Sequence, residues 1–205
     1  MQKFKDRLWI AATNLFWALV FGLFGLKSYH QLFIDPSHRI INAMLMMQGA
    51  LLAVTFLVRR STKNTSGNLV EILMSFLATF SFMLFEVVKT NRVGLVGLVI
   101  QAAGLSLTIY GTLSLSRSFG IIPANRGVRT TGLYRLVRHP IYFSYVIFYT
   151  GFILNNYSLH NTLVVALFAL AQTYRIFAEE RLLSQDPEYV TYKTKVRWRL
   201  IPFIW

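Results

Sequence analysis

Six apolar stretches, 16 to 23 residues long, occupy most of the 205-residue chain. They are Leu8–Leu26, Ile40–Val58, Leu69–Val88, Val93–Leu115, His139–Leu154 and Leu159–Ala178. About 20 helical residues cross the hydrocarbon core of a bilayer, so every stretch except the 16-residue fifth one is long enough to span it. The sequence predicts an all-α, multi-pass transmembrane bundle with about six spans, or with five spans and a re-entrant segment.

The composition fits this prediction and excludes several kinds of site. Hydrophobic residues make up 55% of the chain, charged residues only 14%, and the mean hydropathy is +0.48. The chain has no cysteine. It therefore cannot form a disulfide, a thiolate metal site, an iron–sulfur cluster or a catalytic thiol. His160 has no partner at metal-ligand spacing, so no metal site is predicted.

The basic residues predict the orientation of the chain in the membrane. If the N-terminus is cytoplasmic, 17 of the 21 Lys and Arg residues lie on the cytoplasmic side. The other side holds Lys27, Arg39, Lys89 and Arg92. Multi-pass proteins concentrate Lys and Arg in the cytoplasm. We expect both termini to be cytoplasmic, in a bacterial inner membrane or the endoplasmic reticulum, and the net charge of +13 needs no nucleic-acid partner.

The connections between the stretches differ in length and charge. Residues 155–158 are uncharged and short, which predicts a tight antiparallel hairpin of the last two apolar helices. By contrast, residues 117–138 carry five Arg and no acid, and residues 179–205 form a long tail. Long charged segments beside a membrane bundle are places where chemistry can be housed.

Arg138-His139-Pro140 stands where the basic segment becomes an apolar helix. Proline favours the first helical turn, so His139 should cap this helix. A helix start beside a cation favours an anion. The alternative is that Arg138 only reaches the lipid headgroups while His139 caps.

A second cluster lies at the end of the last apolar stretch, where Arg175 precedes Glu179 and Glu180. Helical spacing puts Arg175 and Glu179 on one face, and two carboxylates at a helix C-terminus need a compensating partner. The alternative to a functional site is an interfacial salt bridge with Arg135 or Arg138. A third piece, the loop 126–134, has the glycines, hydroxyls and arginines to wrap a small polar ligand. Elsewhere, Gln48, Gln101 and Gln172 could link helices by hydrogen bonds.

Read in order, these pieces resemble integral-membrane methyltransferases typified by isoprenylcysteine carboxyl methyltransferase, with phospholipid N-methyltransferases as relatives. The resemblance covers about residues 112–205. It rests on the segments 131–134, 138–142, 175–180, 188–192 and 199–202. It divides the chain into N-terminal membrane helices, 1–111, and a C-terminal methyltransferase-like region, 112–205. The chain departs from the family at Ser144, where glycine is usual.

The resemblance implies a site for S-adenosyl-L-methionine at the cytoplasmic interface and a lipid or lipidated acceptor that enters from the bilayer. By position it assigns cofactor contacts to Arg126, Gly127, Val128, Arg129, Tyr134, His139, Pro140, Tyr142 and Glu179. The candidates for acting on the acceptor are Arg175, Glu180 and Arg138. Glu179 suits the cationic amine of the cofactor, and the His139-Pro140 helix start suits its carboxylate.

The residues leave two matters open. A carboxylate acceptor could be bound by Arg175 and needs no base, whereas an amine acceptor needs a base such as Glu180 or His139. A membrane enone or sterol reductase that uses a nicotinamide cofactor and a non-enzymatic transporter are the alternative functions. A transporter should show charges or broken helices at mid-membrane, and the charges here cluster at one interface.

The predicted orientation can be tested by cysteine labelling, because the natural chain has no cysteine. A cysteine at position 59 or 126 should resist a membrane-impermeant thiol reagent added outside, and a cysteine at position 39 should react. Strong labelling from outside at position 126 contradicts the orientation.

Overall fold

A computed structural model describes residues 2–59, 65–88, 93–115 and 120–205, with the side chains of residues 2–7 and 9 left out. The elements in chain order are α1 Gln2–Ile34, α2 Arg39–Val58, α3 Leu69–Phe80, α4 Leu95–Leu115, α5 Pro140–Asn155, α6 Leu159–Leu183 and α7 Pro187–Lys195. Short 3-10 turns cover Pro36–His38, Ser81–Leu84 and Gly132–Arg135. Several basic residues used for the orientation lie outside the described residues: Arg60, Lys63, Lys89, Arg92 and Arg117.

The described chain is helical and contains no strand, which confirms the all-α prediction. An isolated bridge pairs Thr65 with Ala124. Within the described residues, four helical segments are long and apolar enough to cross a membrane: Ile10–Ile34, Pro36–Val58, Leu95–Leu115 and Leu159–Leu183. The third apolar stretch, expected to reach Val88, forms α3 and a 3-10 turn that end at Leu84. The six-span count and the orientation therefore stay predictions.

Side-chain caps start several helices where the sequence changes from polar to apolar. The Asn68 side chain accepts hydrogen bonds from the backbone at the start of α3, and Ser158 does the same for α6. Asp186 caps α7, and Pro187 occupies its first turn. These residue types supply acceptors to N–H groups that have no partner within the helix. The tail thus contains a capped helix that the apolar pattern did not predict.

Helix α5 packs along α4, and this arrangement corrects the predicted α5–α6 hairpin. The connection at residues 155–158 is short, but α6 packs mainly on α3 and touches α5 little. On α4, Gly97, Gly104 and Gly111 recur every seven residues and face α5. A Cβ at Gly104 would collide with the backbone of Phe148. Small residues let membrane helices approach closely, so the glycine seam gives α5 a better partner than α6.

Polar side chains support the seam inside the bundle. Ser144 is fully buried, and its hydroxyl lies 2.8 Å from the Thr108 hydroxyl on α4 and 2.7 Å from the Ile141 carbonyl. The serine at this unusual position therefore links α4 to α5. The glutamines behave differently from the prediction, since the buried side chains of Gln101 and Gln172 have no hydrogen-bond partner within the described chain.

Three asparagines fix the other end of the bundle. Asn155, Asn156 and Asn161 accept hydrogen bonds from the backbone N–H groups of Gly94, Val88 and Glu86, respectively, at 2.8 to 3.0 Å. They hold the connection before α4 against the α5–α6 turn. We call this the far end and call the end that carries residues 120–139 the site end. The predicted division of the chain at residue 112 stays a prediction, and α4 runs across it.

The glycine seam predicts a large effect of one added methyl group. Gly104→Ala should lower the free energy of unfolding by about 1–3 kcal/mol, because the methyl group meets backbone that cannot move independently. Gly22→Ala is the matched control, since a Cβ there meets nothing within 4 Å. Thermal unfolding in detergent measures both variants. Equal midpoints for the two variants contradict the seam.

Candidate functional site

A cleft of about 120 Å³ opens at the site end between the loop before α5, the end of α6 and α7. Eight of the nine residues predicted to contact a cofactor line it: Arg126, Gly127, Val128, Arg129, Tyr134, His139, Tyr142 and Glu179. The ninth, Pro140, lies on another face, in a small apolar pocket with Phe143 and Pro202.

Glu179 is the acidic residue that lines the cleft among the described residues. Its Oε1 accepts hydrogen bonds from the Tyr142 hydroxyl at 2.5 Å and from Arg175 Nε at 3.1 Å. Its Oε2 lies 3.8 Å from His139 Nδ1. The carboxylate is thus held in place along one edge and is 17% exposed. It can offer negative charge to a ligand in the cleft.

Glu180 plays a different structural part from Glu179, although the two are neighbours. Its Oε1 lies 2.8 Å from Arg138 Nε and 3.4 Å from His139 Nε2. Its Oε2 accepts a hydrogen bond from Arg199 Nε at 2.9 Å. The side chain is 7% exposed and does not line the cleft. The salt bridge to Arg138 considered as an alternative is present, and Arg199 of the tail joins it.

Arg175 is buried, and all three of its guanidinium nitrogens donate hydrogen bonds to protein groups. Nε donates to Glu179, one terminal nitrogen to the Thr79 hydroxyl at 3.1 Å and the other to the Gly120 carbonyl at 2.8 Å. The guanidinium also lies 5.1 Å from the centre of the Tyr142 ring. Arg175 does not line the cleft, and in this geometry it supports Glu179.

The C-terminal tail occupies the helix start that the sequence assigned to an anion. The backbone N–H groups of Arg138 and His139 donate to the carbonyls of Trp198 and Arg199 at 2.9 and 2.8 Å. Proline at position 140 has no N–H to offer. The start of α5 is therefore less rich in free donors than predicted. Donors for an anion must come from the arginines of the loop.

The loop and α7 are joined by polar contacts at the rim of the cleft. The Asn125 amide donates to Asp186 Oδ2 at 2.7 Å, and this hydrogen bond lowers the pKa of Asp186. The Tyr192 hydroxyl donates to the Tyr134 carbonyl at 2.6 Å. Gly127 adopts a φ of 88°, which favours glycine and lets the loop turn at the rim. The loop and the tail helix thus close the cleft from one side.

Burial shifts the pKa values of several groups that line the cleft. Burial, with Arg59 and Arg175 nearby, lowers the pKa of Arg126 to about 10, so its guanidinium stays charged at neutral pH. Burial raises the pKa values of Tyr134, Tyr189 and Tyr192, so their phenols stay neutral. The cleft thus combines fixed positive charge on the loop with one carboxylate and neutral hydroxyls.

Ala124, Leu183, Tyr189 and Tyr192 line the cleft but were not predicted as site residues. Tyr189 is 3% exposed, and its hydroxyl has no hydrogen-bond partner within the described chain. A buried hydroxyl without a partner is costly, so a polar ligand in the cleft would satisfy it. The sequence could have indicated Tyr189 and Tyr192, because residues three positions apart share a face of a helix.

Part of the chain is similar to a known protein family. Residues 90–188 match the family model for phospholipid methyltransferase. The match confirms the predicted family resemblance over residues 112–188; it also covers residues 90–111 but not the tail from residue 189. The matched segment contains α4 to α6 and most of the cleft. No match to a curated protein was found. The matched family and the apolar helices fit a lipid-modifying methyltransferase that is embedded in a membrane.

The ion cluster predicts that Glu180 is needed for folding. Glu180→Gln leaves Arg138 and Arg199 without their counter-charge, so the free energy of unfolding should fall by about 3 kcal/mol or more. Glu188→Gln changes the same group on the exposed face of α7 and serves as the control. Thermal unfolding in detergent compares the two. If the Glu180→Gln protein is stable and binds ligand but is inactive, the structural role is contradicted and Glu180 is again a candidate base.

Proposed function

We propose that the chain is an integral-membrane, S-adenosyl-L-methionine-dependent methyltransferase that acts on a lipid or lipidated acceptor. The observation that carries the proposal is the cleft at the site end, which gathers Glu179, the loop arginines and four tyrosines. Of these residues, all except Tyr189 and Tyr192 lie in the segment that matches the family. We place this end in the cytoplasm, on the positive-inside argument.

The donor set of the cleft suits the charges of the proposed cofactor. The cofactor has a cationic sulfonium, a cationic amine and a carboxylate. Glu179 would pair with the amine, and the Arg126–Arg129 stretch would face the carboxylate, since charge-assisted hydrogen bonds are the strong ones. The Tyr189 hydroxyl would gain the polar partner that it lacks within the described chain.

When bound, the cofactor supplies an electrophilic methyl group on its sulfonium. The protein's contribution is then to orient and to exclude water. Tyr142 and Arg175 hold the Glu179 carboxylate in one position. The hydrogen bonds from Asn125 and Tyr192 hold the loop and α7 over the cleft. No covalent nucleophile of the enzyme is needed for such a displacement.

The acceptor decides whether a base is required. A carboxylate acceptor needs none, whereas a protonated amine must lose a proton before it can attack. His139 lies in the lining of the cleft, and its two ring nitrogens face Glu179 and Glu180. It is the better candidate for a base, because Glu180 is enclosed by Arg138 and Arg199.

The function can be tested with purified protein, methyl-labelled S-adenosylmethionine and defined lipids. We expect label in the lipid extract when the vesicles contain the acceptor. Phosphatidylethanolamine vesicles test an amine acceptor, and a prenylated cysteine in phosphatidylcholine vesicles tests a carboxylate. Failure to bind the cofactor, measured by calorimetry, contradicts the proposal. Binding of a nicotinamide cofactor instead would favour a reductase.

Glu179→Gln should weaken cofactor binding about tenfold to a hundredfold, because charge-assisted contacts are worth about 1.5–3 kcal/mol. Glu188→Gln is the control for the same chemical change outside the cleft. Calorimetric titration measures both dissociation constants. An unchanged dissociation constant in a folded Glu179→Gln protein would mean that Glu179 forms salt bridges but does not bind the cofactor.

Arg175→Ala separates support of Glu179 from a direct role toward the acceptor. If Arg175 acts through Glu179, cofactor affinity should fall in Arg175→Ala as in Glu179→Gln, and the double variant should lose little more. Arg135→Ala, at an exposed arginine of the same end, is the control. Normal cofactor affinity with abolished methyl transfer would contradict the supporting role and restore the direct one.

A further inference from the structure

A second cavity, of about 750 Å³, lies at the far end of the bundle, away from the cleft. It is formed by the end of α1, the start of α2 and the segment after α3. The matched family segment begins at residue 90, so the lining residues lie outside that match. One part of the lining is apolar and aromatic, and the other part is polar and charged. Nothing in the proposed methyl transfer uses this cavity.

His38 is the most unusual residue in the lining. Its side chain is 1% exposed, and Nδ1 lies 2.8 Å from Asp35 Oδ2. The other carboxylate oxygen of Asp35 accepts a hydrogen bond from the Ser37 hydroxyl at 2.7 Å. His38 Nε2 is buried and has no hydrogen-bond partner within the described chain. A buried polar atom without a partner costs free energy unless a ligand or water supplies one.

The hydrogen bonds around Asp35 determine whether His38 Nε2 is a hydrogen-bond donor or an acceptor. The hydrogen bonds from Ser37 and His38 lower the pKa of Asp35, so its carboxylate is ionised at neutral pH and can only accept. The Nδ1 atom of His38 must therefore carry the hydrogen. In the neutral imidazole the other nitrogen, Nε2, is then an acceptor. The cavity offers a positioned acceptor to a ligand that has N–H donors.

The charges in the lining suit a ligand that has both signs. Asp35 and Glu86 are acidic, and Lys27 is basic and exposed at the same end. The ring of Phe24 packs edge-on against Phe82, and both line the cavity, as aromatic rings do around ammonium ligands. No cluster that could hold a metal ion occurs among the described residues. An ammonium group with a phosphate nearby fits this pattern.

We propose that the far-end cavity binds the headgroup of a zwitterionic phospholipid that has a primary ammonium. The ammonium donates to His38 Nε2 beside the carboxylates of Asp35 and Glu86, and the phosphate lies toward Lys27. The apolar part of the lining faces the glycerol and acyl region. The site is independent of the proposed methyltransferase cleft, because it lies at the opposite end of the helices.

The contact with His38 makes the site selective. A primary ammonium has three N–H donors, whereas a trimethylated ammonium has none. Phosphatidylcholine can satisfy the carboxylates and the aromatic rings but not Nε2. Loss of one hydrogen bond to a charged group corresponds to about a tenfold weaker affinity. Phosphatidylethanolamine should therefore bind about ten times more tightly than phosphatidylcholine.

The test uses the delipidated full-length protein in detergent, without S-adenosylmethionine. Phosphatidylethanolamine, phosphatidylcholine and phosphatidylglycerol with identical acyl chains are titrated, and bound lipid is counted by native mass spectrometry. We expect the tenfold preference in the natural sequence. His38→Phe should abolish the preference, and His30→Phe, at an exposed histidine of α1, should retain it. Free phosphoethanolamine should compete weakly.

Three results would overturn the proposal. The first is equal binding of the ethanolamine and choline lipids to the natural sequence, which needs no variant. The second is tightest binding of phosphatidylglycerol, which would make His38 a donor to an anion. The third is tighter binding of free phosphoethanolamine than of the lipid. If His38→Phe does not fold, Glu86→Gln replaces it, and unchanged affinity for phosphatidylethanolamine in that variant counts against the site. None of these measurements depends on methyl transfer.

Discussion

Glu180 joins three parts of the chain that build the walls of the cleft. It extends from the end of α6 to Arg138 before α5 and to Arg199 in the tail, with His139 beside them. A carboxylate in this position is stable only when opposite charges surround it, and each arginine is likewise stabilised by the carboxylate. Two carbonyls of the tail also accept hydrogen bonds from the backbone N–H groups of Arg138 and His139. The cleft has its shape because these contacts fix α6, the α5 start and the tail together.

Glu179 and Glu180 are neighbours in sequence but have different surroundings because of helix geometry. Consecutive residues of a helix point about 100° apart, so Glu179 and Glu180 face different surroundings. Glu179 faces the cleft with Tyr142 and Arg175 behind it, whereas Glu180 faces the buried cations. One acid is therefore available to a ligand and the other is used for structure. Arg175 belongs to the first group through its hydrogen bond to Glu179.

The helical fold and eight of the residues that line the cleft could be predicted from sequence. The apolar stretches predicted α2, α4 and α5 to within two residues, since length and hydropathy suffice for that, whereas α1 extends to Ile34 and α3 ends at Phe80. Helix partners were harder, because they depend on which faces can approach. The short turn at 155–158 suggested an α5–α6 pair, whereas in the structure Gly97, Gly104 and Gly111 let α4 pack closely against α5. The division between Glu179 and Glu180 could not be predicted, because it depends on Arg199, which is distant in sequence.

We propose that the loop before α5, the end of α6 and α7 enclose a site for S-adenosylmethionine. Ultraviolet cross-linking of labelled S-adenosylmethionine to the purified protein, followed by peptide mapping, tests it most directly. We expect saturable label in peptides that cover residues 120–142 and 179–192, and we expect excess S-adenosylhomocysteine to displace it. Label that is confined to α1–α3, or that excess S-adenosylhomocysteine does not displace, would contradict a cofactor site in this cleft.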